Sequence, residues 1–403
     1  MKRADGQPYD ICAAVISDLS TDARVWREAR SLSAHGFSVG LIGCAYEIDG
    51  VRRRSVDGID VLEVPLGSRH GRVSHLGRVR TLLAVWREII RTPARAYHVH
   101  NIHPAPASVI AARRHGARWV YDAHELYGNP GPRTPPRWWL DPVLTPVERW
   151  LEHFLVRRAF AVITTNRSRA AELELRHRRS AIVVLANVPD RVDEVKPIDL
   201  GFAPNEPVLL YQGGIYLGRA FRETIEALTE LEGVQFAVIG FGRETDLDRI
   251  RQWAREYGVA DRVHLLGTRH FDELVHTAAS ATLGLVPIKP NHQSDLLGDT
   301  NKLHEYLMAG LPVVASDLPE IRRVVTEGDP PVGELFDPAQ PATIVAAVTR
   351  VIKDGRYKQR RCEARRLALA RHNWQVQEGA LVAIYNRLLQ GQPTDRSSGP
   401  TSG

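Results

Sequence analysis

Short apolar runs alternate with longer stretches of helical period along almost the whole chain. DICAAVIS (10–17) reads as a buried strand, and DARVWREARSLSAHG (22–36) as a helix ending at Gly36. FSVGLIGCA and GIDVLEVPL follow as strands, and LGRVRTLLAVWREIIR (76–91) as a helix stopped before Pro93. AYHVHN, the helix APASVIAARRHG, the strand ARWVYDAH, a helix from Pro142 to Arg158, the strand FAVITT, a helix from Ser168 and AIVVLAN continue the series. Apolar strands alternating with 3.6-period helices predict a parallel, doubly wound sheet.

Residues 189–206, PDRVDEVKPIDLGFAPNE, are proline-rich, polar and aperiodic, and read as a linker. The alternation then restarts with PVLLYQGG, helix 219–231, QFAVIG, helix 245–257, RVHLLG, helix 271–280 and ATLGLVPI, and ends in helices up to about Leu389. The predicted organisation is an α/β domain over 1–188, the linker, and a second α/β domain over 207–372. A helix over 373–390 is expected to return to the first domain, and 391–403 is expected to be a disordered tail. Two such domains in tandem leave a cleft, and open α/β sheets bind ligands beyond the C-terminal ends of their strands.

Composition narrows the function only a little. The chain has 403 residues, 43% hydrophobic and 25% charged, an ordinary globular mixture. Its net charge of +6 favours anionic partners: phosphorylated substrates, lipid headgroups or nucleic acid. No nucleic-acid recognition motif or aromatic–basic interleaving accompanies the charge. Cys12, Cys44 and Cys362 form no CxxC and no His-paired metal spacing, so free thiols are expected. No apolar run is long enough to span a membrane, and MKRADGQPYD has no signal core, so a cytoplasmic location is expected.

The residues that follow strands carry the candidate chemistry. After PVLLYQ, the glycines Gly213, Gly214 and Gly218 permit tight turns, and Arg219 opens a helix, where dipole and guanidinium both favour an anion. After QFAVI, Gly240 and Gly242 form a Gly-x-Gly turn against which a ligand can lie. Asp246 and Asp248 have the spacing of a metal-diphosphate pair, but Thr245 reads as an N-cap and acids suit a first helical turn, which favours the simpler reading. Lys302 and Glu305 share one face of the helix in TNKLHEYLMAGLPVVAS. An ammonium for phosphate oxygens and a carboxylate for ribose hydroxyls suit a nucleoside diphosphate.

In NKLHEYLMAGLPVVAS the chain resembles the donor-site signature of retaining glycosyltransferases of the large family 4 type. LLYQGGIYLGRAFRETIEAL, QFAVIGFG, VHLLG and NWQVQEGALVAIYNRLL fall in that family's order. SDLSTDARVWREARSLSAHGFSV and WVYDAHELY are similar to one of its branches, and the likeness covers about residues 9–390. The resemblance implies the GT-B fold, two Rossmann-like domains facing across a cleft. It implies a sugar nucleotide, UDP- or GDP-linked, held mainly by the second domain. Arg219 and Lys302 would meet the diphosphate, Glu305 the ribose, and Gly213, Gly214, Gly240 and Gly242 would lie close to the donor. The family often has a basic residue where this chain has Gly214, and an acid eight residues before Glu305, where this chain has Leu297. Contacts to the donor sugar then fall to Asp299, Thr300, Asn301 or the amides of 296–301.

His124, in DAHELY at a strand end, is expected at the cleft, where similar enzymes place a histidine near the donor sugar. Glu125 and His103 are acceptor-side candidates, with His100 a weaker one. In SDLSTDAR, Asp18 and Arg24 are also acceptor-side candidates, Arg24 guiding an anionic acceptor or leaving group, and Asp22 caps the helix. The stripe Leu140, Val143, Leu144, Val147, Leu151, Phe154 and Leu155 suits an anionic membrane surface, yet a crossover helix is required there, which favours a core face. The Trp138–Trp139 pair stays a candidate membrane or acceptor contact.

The implied activity is metal-independent transfer with retention, His124, Arg219 and Lys302 carrying the chemistry and no cofactor required. The hydroxyl acceptor would be lipid-linked or a small molecule, in polysaccharide, glycolipid or natural-product biosynthesis, with peripheral contact at the inner membrane face. The alternatives are a sugar-nucleotide epimerase of the same fold and a non-catalytic nucleotide-binding module. A dinucleotide module is opposed by AVISDLSTDAR, which lacks Gly-x-Gly-x-x-Gly after the first strand.

Overall fold

The computed structural model describes the chain apart from residues 2, 4, 68–74, 129–140, 292, 299 and 391–403. Asp299, the Trp138–Trp139 pair and the tail therefore lie outside the described residues.

The first half builds strands β1 (Tyr9–Asp18), β2 (Val39–Ala45), β3 (Arg52–Val56), β4 (Ile59–Pro65), β5 (Ala94–His100), β6 (Arg118–Ala123), β7 (Ala161–Thr164) and β8 (Val183–Val184). Helices α1 (Ala23–Ala34), α2 (His75–Arg91), α3 (Ala105–Arg114), α4 (Asp141–Arg158) and α5 (Arg167–His177) connect them. The sheet order is β3-β4-β2-β1-β5-β6-β7-β8, parallel except for β3. The second half builds β9 (Val208–Gln212), β10 (Gln235–Ile239), β11 (Val263–Leu265), β12 (Leu283–Val286), β13 (Val313–Ser316) and β14 (Gly333–Phe336). Its helices are α6 (Phe221–Ala227), α7 (Glu244–Glu256), α8 (Leu274–Ala278), α9 (Gln293–Leu296), α10 (Asn301–Met308), α11 (Pro319–Val325), α12 (Pro341–Lys353), α13 (Tyr357–Ala370) and α14 (Trp374–Gln390). This sheet runs β11-β10-β9-β12-β13-β14, all parallel. Strand order turns back at β1/β5 in one sheet and at β9/β12 in the other, the two places where such sheets open a crevice.

Both sheets are covered on both faces, which is why their strands are apolar throughout rather than alternating. Leu381, Ile384 and Leu388 of α14 pack with Ile11, Val25 and Val39 on one face of the first sheet. Each such fully buried side chain contributes about 1.5–3 kcal/mol. Trp374 Nε1 donates to Ser31 Oγ at 2.6 Å, and Ser31 Oγ donates to Glu378 at 2.7 Å, pinning α14 to α1. On α4, Leu155 and Val156 are buried, whereas Val147 and Trp150 face outward. The expected stripe is thus partly core, and its Leu140 and Val143 are not among the described side chains.

The structure adds a strand that periodicity hides. Arg52–Val56 carries four polar residues in a row, yet pairs antiparallel with β4 because the buried Glu63 takes Arg52 at 2.7 Å and Arg54 at 3.0 Å. It also corrects the N-cap of α7, which is Arg243 rather than Thr245.

Glycines join the two ends that carry the second domain's site. The chains leaving β9 and β10 stay in register: Gly213 N donates to Ile239 O at 2.9 Å and Ile215 N to Phe241 O at 2.8 Å. A Cβ on Gly240 would stand 1.8 Å from the Gly213 carbonyl oxygen, and one on Gly242 2.6 Å from the Ile215 oxygen. Their bare backbone therefore has an internal cause, turn packed on turn. Gly240→Ala, also strained at φ +153°, is expected to lower stability by about 2 kcal/mol or more, whereas Gly214→Ala, with nothing within 4 Å, should stay near wild type. Urea midpoints of the two variants decide it, and a wild-type midpoint for Gly240→Ala would contradict the packing.

Candidate functional site

The second domain's site is assembled beneath β9. Tyr306 of α10 donates to Leu210 O at 3.0 Å and accepts from Gln212 N at 3.0 Å, which docks α10 against the end of that strand. The neighbouring Lys302 and Glu305 are placed by this docking. Gln212 Nε2 donates to Glu305 Oε2 at 2.5 Å. Lys302 Nζ donates to Thr300 Oγ1 at 3.0 Å, lies 5.0 Å from the Tyr211 ring centre, and sits 3.5 Å from where a Gly213 Cβ would be. No carboxylate among the described residues lies within ion-pair distance of this ammonium. Burial, then the Arg219 guanidinium, pulls the Lys302 ammonium down from 10.5 to about 7 against the opposing pull of Glu305. Burial likewise raises Glu305 above the usual carboxylate range.

Arg219 lies 4.6 Å from the Tyr216 ring centre, and its only ion pair among the described residues is a loose one, 3.7 Å to Asp295. Its Nε and Nη1 are buried without a hydrogen bond to any described residue. Two cations thus face the turns after β9 with little to neutralise them. Asp246 and Asp248, the metal-like pair, are each engaged by arginine: Asp246 by Arg243 at 3.0 and 3.1 Å, Asp248 by Arg251 at 2.7 Å.

At the end of β6 in the first domain, Asp122 is wholly enclosed. Arg24 donates to it twice, at 3.0 Å each, and also donates to Leu185 O at 2.7 Å and Asn187 Oδ1 at 2.9 Å. Arg24 therefore faces inward with its donors spoken for, a correction to its expected acceptor-side role. His124, 16% exposed, sits at the rim with Nε2 2.8 Å from Asp122 Oδ2. Its backbone is fixed from both sides: Asn101 Oδ1 accepts from its N–H at 3.2 Å, and Arg169 donates to its carbonyl. Glu125 is largely exposed and lies 3.3 Å from Arg169. His103 is exposed and meets the Tyr127 ring edge-on. Asp18 lines a separate cavity of about 590 Å³ with Ser20, Tyr46, Arg52, Arg54 and Glu63, at the ends of β1 and β2.

The structure brings Lys302, Glu305, Arg219, Thr300 and the Gly213 turn together. Asn301 is the exposed first residue of α10. Two features escaped the sequence reading. Arg27, one turn from Arg24, is held below its ordinary pKa by burial, against the opposing pull of Asp190 and Glu305, and its Nε has no hydrogen bond to any described residue. Its spacing on the α1 face was the available signal. Leu297 packs against the first domain's apolar cluster, and Arg176 of α5 donates to Gln293 of α9 at 3.3 Å, so the segment before α10 spans the cleft.

Comparison with known proteins gives a consistent picture. Residues 21–188 match the model of the glycosyl transferase 4-like domain, and residues 206–354 that of the glycosyl transferases group 1. A phosphatidyl-myo-inositol mannosyltransferase of Mycobacterium leprae is 29% identical over 154 residues, 38% of each chain. An alpha-D-kanosaminyltransferase of Streptomyces kanamyceticus is 25% identical over 262 residues, 61% of this chain and 65% of that one. The chain thus aligns with less than two thirds of the length of either relative. Among solved structures, sucrose-phosphate synthase from Thermosynechococcus elongatus superposes with a TM-score of 0.76 at 16% identity, over 96% of this chain and 100% of that one. Anabaena HepE in complex with UDP-glucose does so with a TM-score of 0.67 at 15% identity, over 95% and 99%.

Lys302 should leave a signature in stability. Its folded pKa lies below the unfolded one, so burying it costs stability fully below pH 7, and the cost fades as pH rises toward 10.5. Lys302→Met is expected to unfold at higher urea than wild type at pH 6.5, with the gap closing toward pH 10. Equal midpoints at both pH values would count against a desolvated ammonium.

Proposed function

Because the chain belongs to the glycosyltransferases of the family 4 type, built on the GT-B fold, we propose that it transfers a sugar from a nucleoside-diphosphate donor to a hydroxyl acceptor with retention of configuration. The observation that carries this reading is the pair of under-neutralised cations, Arg219 and Lys302, beneath the turns after β9. A diphosphate supplies the negative charge they lack. Glu305, turned toward Gln212 beside them, accepts from ribose hydroxyls.

In this reading the bond from the anomeric carbon to the diphosphate oxygen breaks, and the acceptor oxygen forms its bond on the same face. The acceptor's proton passes to the departing phosphate. Charge grows on the leaving diphosphate, where Arg219 and Lys302 stabilise it more strongly than they do the bound donor. Two fixed cations do the work that a divalent metal does elsewhere, and the pairing of Asp246 and Asp248 with arginines supports a metal-independent reaction. His124 orients the sugar from the opposite domain. UDP-sugars are the first donors to test, GDP-sugars next, since structural neighbours include a UDP-glucose complex.

The cavity beside Asp18 is the acceptor side of the proposal. The relatives' names span a lipid and a natural-product setting, so glycolipid or natural-product biosynthesis is the pathway class. No described helix is long and apolar enough to cross a membrane. Peripheral contact with an anionic membrane in the cytoplasm stays within the proposal, with Trp150, 66% exposed and stacked on Phe154, as its described anchor.

Lys302→Ala is expected to lower transfer by about 100-fold or more while the protein stays folded. EDTA is expected to leave transfer unchanged. Ordinary turnover by the variant would remove Lys302 from the phosphate site, and full loss in EDTA would return a metal to the mechanism. Calorimetry adds a binding test: UDP bound at pH 7.5 should take up protons, because an anion favours the Lys302 ammonium over the amine. Binding heats independent of the buffer's ionisation enthalpy would contradict it.

A further inference from the structure

Beneath His124 lies a buried cluster that donor binding alone does not explain. Arg24, Glu28, His98, His100 and Asp122 are all under 6% exposed. The guanidinium of Arg24 faces two carboxylates, Asp122 at 3.0 Å and Glu28 at 2.9 Å. His98 Nε2 lies 3.2 Å from Glu28 and 3.7 Å from Asp122, and His100 Nδ1 lies 3.3 Å from Asp122. His98 stacks on His100 at 4.2 Å between ring centres, and on Tyr385 of α14 at 5.9 Å. Three histidines thus surround one carboxylate.

Burial decides which of these groups carry charge. Desolvation pushes Glu28 well above the usual carboxylate range. Asp122 also feels desolvation, but the Arg24 guanidinium holds it well below that range. Desolvation keeps His98 and His100 below their ordinary values, so both rings are neutral. The ionised pair is Arg24 with Asp122. A nitrogen 2.8 Å from an ionised carboxylate oxygen must carry the hydrogen, because two lone pairs at that distance repel. His124 therefore bears its proton on Nε2. Its Nδ1 makes no hydrogen bond with any described residue.

We propose that Arg24 and Asp122 are positioning residues that lock His124 in the Nε2–H tautomer, so that its Nδ1 lone pair is offered to the cleft as an acceptor for a sugar hydroxyl. The proposal rests on the glycosyl-transfer reading and deepens it. A lone pair attracts a hydroxyl and repels a phosphate oxygen, so His124 and the Arg219–Lys302 pair sort the two ends of one donor. Without the carboxylate the imidazole would exchange between tautomers and present a donor for part of the time. The same atoms admit one rival. One ligand atom each of Glu28, His98, His100 and Asp122 lie within 4.8 Å of one another, close enough to surround a metal ion. The Arg24 guanidinium already supplies the positive charge there.

Long-range 1H–15N spectra of protein labelled with 15N-histidine read the tautomer directly, with the His124 signals identified by their loss in His124→Asn. Between pH 6 and 8 the expected pattern is a protonated Nε2 and a lone-pair Nδ1, and UDP-glucose or GDP-mannose, whichever is turned over, moves the Nδ1 shift while the nucleotide alone does not. The reversed tautomer, or a doubly protonated ring, overturns the proposal. Asp122→Asn is expected to lower kcat about tenfold or more with donor KM nearly unchanged, and Arg24→Lys, which keeps the charge but not the paired bonds, to fall between it and wild type. Wild-type kcat in folded Asp122→Asn, or a loss confined to KM, overturns it. So does stoichiometric zinc in the purified protein. Should the wild type transfer no sugar from any donor, the transfer reading fails on its own, while the spectrum still decides the tautomer.

Discussion

The constraint on which the rest of the molecule turns is the cost of holding charge out of water at the ends of parallel strands. Each sheet gathers ionised groups where its strand order turns back, and each handles them differently. In the first domain Arg24 meets its counter-charge within the protein, Asp122. In the second, among the described residues, Lys302 pairs with no carboxylate and Arg219 only loosely with Asp295, and the deficit is visible in the depressed ammonium and in buried guanidinium nitrogens without hydrogen bonds to those residues. An unsatisfied buried cation calls for a partner, and an anion from outside the chain can supply it. That asymmetry, rather than any single residue, distinguishes the second domain from the first.

Rigid packing makes the deficit tolerable. Lys302 cannot retreat into solvent, because α10 is bound to β9 through both hydrogen bonds of Tyr306. Gly284 reinforces this: a Cβ there would stand 2.3 Å from the Tyr306 ring, so the bare strand admits the tyrosine. The turns above are fixed by the contact of Gly240 and Gly242 with residues 213–215. Preorganised charge of this kind needs little rearrangement when a leaving group develops its own.

What could be read from the chain follows from which interactions are local. Alternation of apolar strands and periodic helices was legible because both sheets are covered on both faces. The β3 strand was not, because four consecutive polar residues are stabilised by Glu63 on the next strand rather than by an apolar face. Lys302 and Glu305 stood out because three-residue spacing places them on one helix face. Arg24 misled because its partner, Asp122, is distant in sequence, and an arginine beside a strand end looks the same whether it faces a ligand or a buried carboxylate. Its local companion Glu28, one turn along the same helix, was the clue that an inward pair was forming.

Leu297 shows how the two domains share the task. Its side chain packs on the first domain's apolar cluster, while α9 beside it reaches α5 through Gln293 and Arg176. Glu320 of α11 also accepts from the Ser168 amide at the start of α5, at 2.7 Å, where a helix N-terminus favours a carboxylate. These contacts hold the second domain's approach to α10 against the first domain. An acid at Leu297 would lose that apolar contact and add a charge to be desolvated at the seam. The chain thus uses this position to join its domains, and in the proposed reading polar contacts with a sugar fall to His124 on one side and to the N-terminal turn of α10 on the other.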